Sequence, residues 1–122
     1  MKYLCLAFEA EAVFKTMPLA EWEALREETL SYVDALTRSG HLLDARPLQS
    51  ATTAVTLKQR GGALTVTDGP FAETKEQLGG YFLIEARDLN EAIQIAARWP
   101  GARYGYIEVR PVEEGLPLDC RY

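Results

Sequence analysis

The order of the periodic segments constrains the fold of this chain more than any single motif does. Lys2–Phe8 is nearly all apolar, which is typical of a strand buried on both faces. A long helix is predicted between Pro18 and Gly40, because proline suits a first helical turn and glycine ends a helix. Its apolar positions recur every three or four residues, at Leu19, Trp22, Leu25, Thr29, Tyr32, Val33 and Leu36.

The second half of the chain alternates as strands do and contains one more helix. Thr53–Arg60 and Ala63–Thr67 are predicted to pair as a hairpin across two glycines, both of which can adopt positive φ. Asp88 and Glu91 form a D-x-x-E pattern that predicts a helix start. The apolar face of that helix comprises Leu89, Ala92, Ile93, Ala96 and Trp99. The remaining predicted strands are Leu42–Leu48, Tyr81–Glu85 and Tyr106–Val112.

This order of elements predicts an α+β fold of the ferredoxin-like sandwich type. Two strand–helix–strand crossovers around antiparallel pairing place two main helices on one face of an antiparallel sheet. The other face of the sheet then needs cover, and a second copy of the chain is the simplest source. We therefore expect a homodimer.

Length and charge narrow the class of protein. A chain of 122 residues suits one domain, which we place at 1–113, followed by a C-terminal tail at 114–122. The net charge of −5 at pH 7 argues against direct nucleic-acid binding, which usually requires a basic surface. No apolar run has the length of a signal-peptide core or a membrane span, so we expect no membrane contact and a cytoplasmic location.

Cysteine and histidine are too sparse to indicate a metal centre or a reactive thiol. Cys5 and Cys120 lie far apart and form no CxxC pair; Cys5 has no nearby basic signal, and Cys120 lies in the tail. The single histidine, His41, follows the long helix and is best interpreted as a helix-terminus residue. We predict no bound metal and no cofactor.

The segment DGPFAETKEQLGG, from Asp68 to Gly80, is the candidate functional loop. Pro70 cannot donate to a strand ladder and should end the hairpin sharply. We expect Phe71 to turn inward and Ala72–Leu78 to form one or two helical turns. The two closing glycines would let the backbone approach another group closely.

Seven side chains are candidate ligand contacts: Asp68, Phe71, Glu73, Lys75, Glu76, Tyr81 and Arg110. Asp68, Glu73 and Glu76 are also candidate catalytic residues, because neighbouring carboxylates raise the pKa of one of them toward neutrality. The alternative is that Asp68 caps a turn and the glutamates form a solvated surface. Lys75 and Arg110 are equally open to an anion-binding role and to ordinary ion pairs.

The motif DGPFAETKEQLGG, with YFLIEARDLNEA after it and IEVRPV near the end, resembles the DGPF branch of the YCII-related family. The resemblance runs from MKYLCL to VRPV and implies a ferredoxin-like fold and a dimer of the dimeric α/β-barrel type. The YCII proteins proper carry a histidine on the first helix, eleven residues before its closing glycine. Counting back from Gly40 gives Thr29, so a mechanism that depends on that imidazole does not carry over.

Three functions are compatible with these features. The first is a homodimer that binds a small ligand in a cleft between the sheet and the DGPFAETKE loop. The second is a cofactor-free enzyme, an isomerase, lyase or oxygenase, that acts on a small organic acid, as relatives of the dimeric α/β-barrel type do. The third is implied by the resemblance, because some members of this branch resemble partners or fused extensions of extracytoplasmic-function sigma factors: a regulatory partner of such a factor. For this role the acidic charge predicts contact with a protein and not with DNA.

Overall fold

A computed structural model describes residues 1–118, so that Cys120 lies outside the described residues. The elements are β1 (Lys2–Glu9), α1 (Glu11–Thr16), α2 (Leu19–Arg38), β2 (Leu42–Pro47), β3 (Val55–Arg60), β4 (Ala63–Asp68), β5 (Gln77–Glu85), α3 (Leu89–Ala97) and β6 (Gly105–Pro111). Single 3-10 turns occupy Ala51–Thr53 and Pro100–Arg103. The predicted order of elements is confirmed, with α1 as an additional short helix.

Four strands form one antiparallel sheet in the order β2-β5-β1-β6, and β3 pairs only with β4 as a separate hairpin. This arrangement is the expected ferredoxin-like sandwich with a hairpin inserted between β2 and β5. In the register of the sheet, Cys5 lies opposite both Phe82 and Val109. Pro47 and Pro111 end the two edge strands, where a missing amide donor costs least.

The core lies on the face of the sheet that α2 and α3 cover. Alternate residues of β1 and β5 point into it, so that Tyr3 and Phe82 are buried whereas Leu4 and Leu83 on the other face stay partly exposed. The prediction that Lys2–Phe8 is buried on both faces is therefore wrong for the single chain. The core comprises Tyr3, Cys5, Leu36, Phe82, Ile84, Ala86, Ala92, Ile95 and Ala96.

Helix α3 begins at a capping signal that is visible in the sequence. The Asp88 carboxylate accepts from the Glu91 amide at 2.9 Å, and the Glu91 carboxylate accepts from the Arg87 amide at 2.9 Å, which confirms the predicted start of α3. α2 begins immediately after Pro18, and its first residue, Leu19, lies in solvent. No helix within residues 1–118 is long and apolar enough to cross a bilayer.

The β3–β4 hairpin turns at Gly61 and Gly62, whose φ angles of 57° and 79° confirm the predicted two-residue turn. Neither face of this hairpin is buried in the single chain. Its apolar side chains are all more than half exposed: Val55, Leu57, Leu64 and Val66.

The loop from Pro70 to Glu76 is irregular, and the expected helical turns at Ala72–Leu78 are absent. Side chains donate hydrogen bonds to the backbone carbonyls that would accept from backbone amides in a helix. Gln77 donates from Nε2 to the carbonyls of Ala72 and Thr74 at 2.8 and 2.9 Å, and the Thr74 hydroxyl donates to the carbonyl of Glu76. Phe71 is 93% exposed, so the expectation that it turns inward is wrong for the single chain.

Candidate functional site

A cavity of about 450 Å³ lies between α2 and the helix-covered face of the sheet. It sits at the end of the sheet where β1 and β2 finish and β5 begins. Its volume falls within the range of small-molecule sites, and aromatic and aliphatic side chains form most of its wall. These apolar residues are Phe14, Trp22, Leu25, Leu30, Val33, Phe82 and Trp99.

Aromatic packing shapes two sides of the cavity. Trp99 stacks on Phe82 with ring centroids 4.0 Å apart and an interplanar angle of 10°, which fixes the inner wall. Phe14 of α1 meets Trp22 of α2 edge to face at 5.6 Å, so the short first helix closes the outer end. Trp22 and Leu30 remain partly open to solvent along the rim, which leaves access to the interior.

Glu9 is the carboxylate in the wall of the cavity. It is the last residue of β1 and follows a β-bulge in the pairing of β1 with β5. Ala7 lies opposite Gly80 and Phe8 lies opposite Leu78, so Gly79 is the extra residue of β5 and has no partner on β1. The Glu9 side chain rests against Gly79, at the place where any β-carbon would collide with its carboxylate. Only glycine at this bulge leaves room for the carboxylate in this position.

The Glu9 carboxylate is partly buried and has no polar partner. None of the side-chain hydrogen bonds or ion pairs within residues 1–118 involves it. Burial raises the pKa of Glu9, and the nearby Glu11 carboxylate raises it further. Glu11 accepts hydrogen bonds from the Ala51 amide and the Ser50 hydroxyl, which lower its own pKa and keep it charged.

Two cationic residues also line the cavity. Arg26 of α2 is exposed and takes part in none of the ion pairs of the described residues. Arg46 of β2 lies 3.4 Å from Asp44 and donates to the carbonyl of Ala45, so its charge is partly engaged. Arg26 is therefore the cation that remains open to an anionic group.

Thr29 places a small hydroxyl in the wall of the cavity. Its Oγ1 donates to the Leu25 carbonyl at 2.8 Å, which uses its only proton within the helix. The position that the resemblance associates with a histidine thus faces the cavity, but here it offers only lone pairs to a ligand. Among the described residues that line the cavity, Glu9 is the one that carries a carboxyl group.

Of the seven residues predicted to contact a ligand, Tyr81 alone lines this cavity among the described residues. The Tyr81 hydroxyl donates to Asp44 at 3.0 Å, and this hydrogen bond raises its pKa. Arg110 pairs with Glu108 on β6. The other five lie on the surface between the end of β4 and the start of β5: Asp68, Phe71, Glu73, Lys75 and Glu76. Ligand contacts by these residues stay a prediction.

The sequence reasoning missed Glu9 and Arg26, although each carries a signal. Glu9 ends an otherwise apolar strand, and Arg26 lies one helical turn after Trp22 on the predicted apolar face. The close backbone approach expected at Gly79-Gly80 is observed, since a β-carbon on Gly80 would lie 2.9 Å from the Arg46 carbonyl oxygen.

The Cys5 thiol is buried, and the acidic side chains of the described residues form no metal-binding cluster. Burial in the core raises the pKa of Cys5 to about 12, so that its thiol stays protonated near neutral pH. Within residues 1–118, no three His, Cys, Asp or Glu side chains cluster closely enough to hold a metal ion.

The chain is similar to a known protein family and to a bacterial protein. A family model described as "YCII-related domain" matches residues 1–115. An uncharacterised protein of Rhizobium meliloti (strain 1021) is 35% identical over 114 residues, which cover 92% of each chain. The chain belongs to the YCII-related family.

Proposed function

We propose that this protein binds a small, largely apolar ligand in the cavity between α2 and the sheet. The observation that carries the proposal is the partnerless Glu9 carboxylate in a wall that is mostly apolar. Partial burial of a charge costs free energy unless a partner compensates for it. A residue with a purely structural role would be paired or apolar at this position, whereas a ligand-binding residue keeps its partner site free.

The motif DGPFAETKEQLGG contributes to this cavity through its last two residues. Gly79 and Gly80 line the cavity and allow β1, β2 and β5 to approach one another closely. The charged part of the motif lies outside the cavity on the exposed loop. We infer that the motif shapes the floor of the site and that its charged residues serve the surrounding surface.

The same proposal includes a homodimer. The sheet face opposite the helices presents Leu4, Leu6 and Leu83, each partly exposed, and the hairpin adds a second apolar surface. Soluble monomers rarely expose contiguous apolar surfaces of this kind. A second copy that covers the sheet face would complete the core, as expected from the one-sided placement of the helices.

A cofactor-free enzyme is the second candidate function, and the pKa of Glu9 favours it. A carboxylate whose pKa is raised by burial transfers protons more effectively near neutral pH than an ordinary one does. Glu9 would then act as the general base or acid on a small organic acid, in place of the candidates Asp68, Glu73 and Glu76. Loss of turnover with retained ligand binding in Glu9→Gln would favour this function over binding alone.

The binding proposal is tested by filling the cavity. Thr29→Phe places a ring in the cavity, and Ser31→Phe adds the same ring to an exposed position of α2 outside it. In a thermal-shift screen of small metabolites, we expect ligands that stabilise the wild type and Ser31→Phe but not Thr29→Phe. A ligand at 100 times its Kd should add about 2.7 kcal/mol to the free energy of unfolding. Equal stabilisation of both variants, or no stabilising compound, would contradict the proposal.

A further inference from the structure

Two side chains of opposite charge line the cavity without an ion-pair partner in the described residues. Glu9 approaches from the end of β1 and Arg26 from α2, and apolar side chains make up most of the remaining wall. Neither charge takes part in the ion pairs of residues 1–118, whereas Arg46 is engaged by Asp44 and Glu11 by Ser50 and Ala51. The cavity therefore presents one free anion and one free cation to the same ligand.

We propose that the ligand is amphoteric, with an ammonium group that pairs with Glu9, a carboxylate that pairs with Arg26, and an apolar body. A small amino acid with an aromatic or branched side chain has this chemistry. The inference rests on the proposed ligand-binding function and specifies the chemical class of the ligand.

An ammonium group suits Glu9 because it counteracts both effects that destabilise the charged carboxylate, namely burial and the nearby charge of Glu11. It supplies the partner that a partly buried charge lacks, and it offsets the field of Glu11. The aromatic faces of Trp22 and Phe14 in the same cavity add to the attraction for a cation. A ligand without a positive charge would bury the Glu9 carboxylate further and leave it unpaired.

A carboxylate on the ligand suits Arg26 for the complementary reason. The guanidinium forms two parallel hydrogen bonds with a carboxylate, which orients the ligand as well as binding it. A ligand with only a cation would be repelled by Arg26, and one with only an anion would be repelled by Glu9 and Glu11. The pair of unpaired charges thus favours a molecule with both groups.

Isothermal titration calorimetry with four phenyl compounds tests this inference by measuring their affinities for the protein. Phenylalanine carries both charges, 2-phenylethylamine only the amine, 3-phenylpropanoate only the acid, and 2-phenylethanol neither. Each is titrated into the wild type, Glu9→Gln, Arg26→Gln and the control Glu27→Gln, which removes a charge from an exposed position of α2 outside the cavity. We expect phenylalanine to bind the wild type at least about tenfold more tightly than any single-charge compound.

The affinities of the four compounds for the variants identify which ligand group binds Glu9 and which binds Arg26. Glu9→Gln should weaken the binding of phenylalanine and 2-phenylethylamine roughly tenfold and leave the binding of 3-phenylpropanoate unweakened. Arg26→Gln should weaken the binding of phenylalanine and 3-phenylpropanoate and leave that of 2-phenylethylamine unweakened. Glu27→Gln should bind all four like the wild type.

Two other outcomes separate the inference from the function on which it rests. If 2-phenylethanol binds as tightly as phenylalanine, and Thr29→Phe abolishes both, the cavity binds ligands but the amphoteric class is wrong. If none of the four compounds binds the wild type, the amphoteric class is overturned, and the metabolite screen with Thr29→Phe decides separately whether the cavity binds a ligand.

Discussion

The two antiparallel β structures of this protein use similar alternating sequences and reach opposite degrees of burial. In the four-stranded sheet, Phe82 and Ile84 are fully buried beneath α2 and α3. In the β3–β4 hairpin, Leu57 and Val66 lie directly opposite each other and remain 63% and 59% exposed. The difference lies in the partner layer, because within residues 1–118 helices cover the sheet and no element covers the hairpin.

This comparison separates two kinds of information in an alternating pattern. Alternation determines which side chains share a face of a strand, since successive residues point to opposite sides. Whether that face is buried depends on a second layer that lies elsewhere in the chain or in another copy of it. Substitutions in the two regions should therefore differ strongly in their effect on the free energy of unfolding.

The largest effect is expected for Phe82→Ala. Phe82 is fully buried and stacks on Trp99, so its truncation should lower the free energy of unfolding by about 3–5 kcal/mol. Denaturation with urea measures the change, and Phe82→Leu should lose less because it retains part of the volume. If Phe82→Ala lowered the free energy of unfolding by less than Leu57→Ala in the hairpin does, the contrast between the sheet and the hairpin would be contradicted.

Two glycine substitutions beside the end of β1 come next. A β-carbon on Gly105 would collide with the backbone carbonyl of Phe8 on the neighbouring strand, so Gly105→Ala should cost about 1–3 kcal/mol. The atoms nearest to a β-carbon on Gly79 belong to the side chain of Glu9, which can move aside at lower cost. Urea denaturation should show the larger loss for Gly105→Ala, while ligand titration should show the larger loss of affinity for Gly79→Ala.

Asp88→Ala should cost about 1 kcal/mol, because it removes the side chain that caps α3 above the sheet. Thermal denaturation provides the measurement, and Asp88→Asn, which retains a capping oxygen, is the control. An equal loss in the two variants would show that the charge of Asp88, and not the cap, stabilises the helix.

Glu9→Gln should change stability less than the cap does and in a pH-dependent way. The pKa of Glu9 is raised in the folded state, so folding is favoured while Glu9 is protonated, and this contribution is lost as pH rises through the folded pKa. The variant should therefore be more stable than the wild type near neutral pH and lose that advantage below the ordinary glutamate pKa of about 4.3. Denaturation curves across this pH range check the sign.

The smallest effect on a single chain is expected for the double change Leu57→Ser and Val66→Ser in the hairpin. Both side chains are already more than half exposed, so at high dilution the unfolding free energy should change by less than about 0.5 kcal/mol. A larger loss that appears only at high protein concentration would measure pairing of the hairpin with a second copy. Sedimentation velocity of both proteins then reports the oligomeric state directly.

Local signals predicted most of the fold. Glycines at positive φ predicted the hairpin, and Asp88 with Glu91 predicted the start of α3, because each signal acts within a few residues. The interior of the DGPF loop was not predictable in the same way, since Gln77 folds back on the carbonyls of Ala72 and Thr74 and replaces the expected helix.

The candidate site was less accessible from the sequence than the fold was. Glu9 and Gly79 meet only through the register of β1 and β5, and a bulge shifts that register by one residue. Periodicity assigned Thr29 to the inner face of the long helix, but it does not distinguish a packed contact from a wall of a cavity. Tyr81 alone of the seven predicted residues lines the cavity, because it follows the glycine pair directly on β5.

The central place of β1 in the sheet governs when the protein can assemble. This strand is synthesised before the other five strands, and its two neighbours, β5 and β6, follow much later. Until then β1 has no neighbouring strand to pair with, and its apolar side chains stay uncovered. The long chain segments between β1 and its two neighbours must close before the sheet forms, which slows folding. Helix α2 can form early from local contacts alone, whereas the floor of the cavity takes shape only after translation has passed β5.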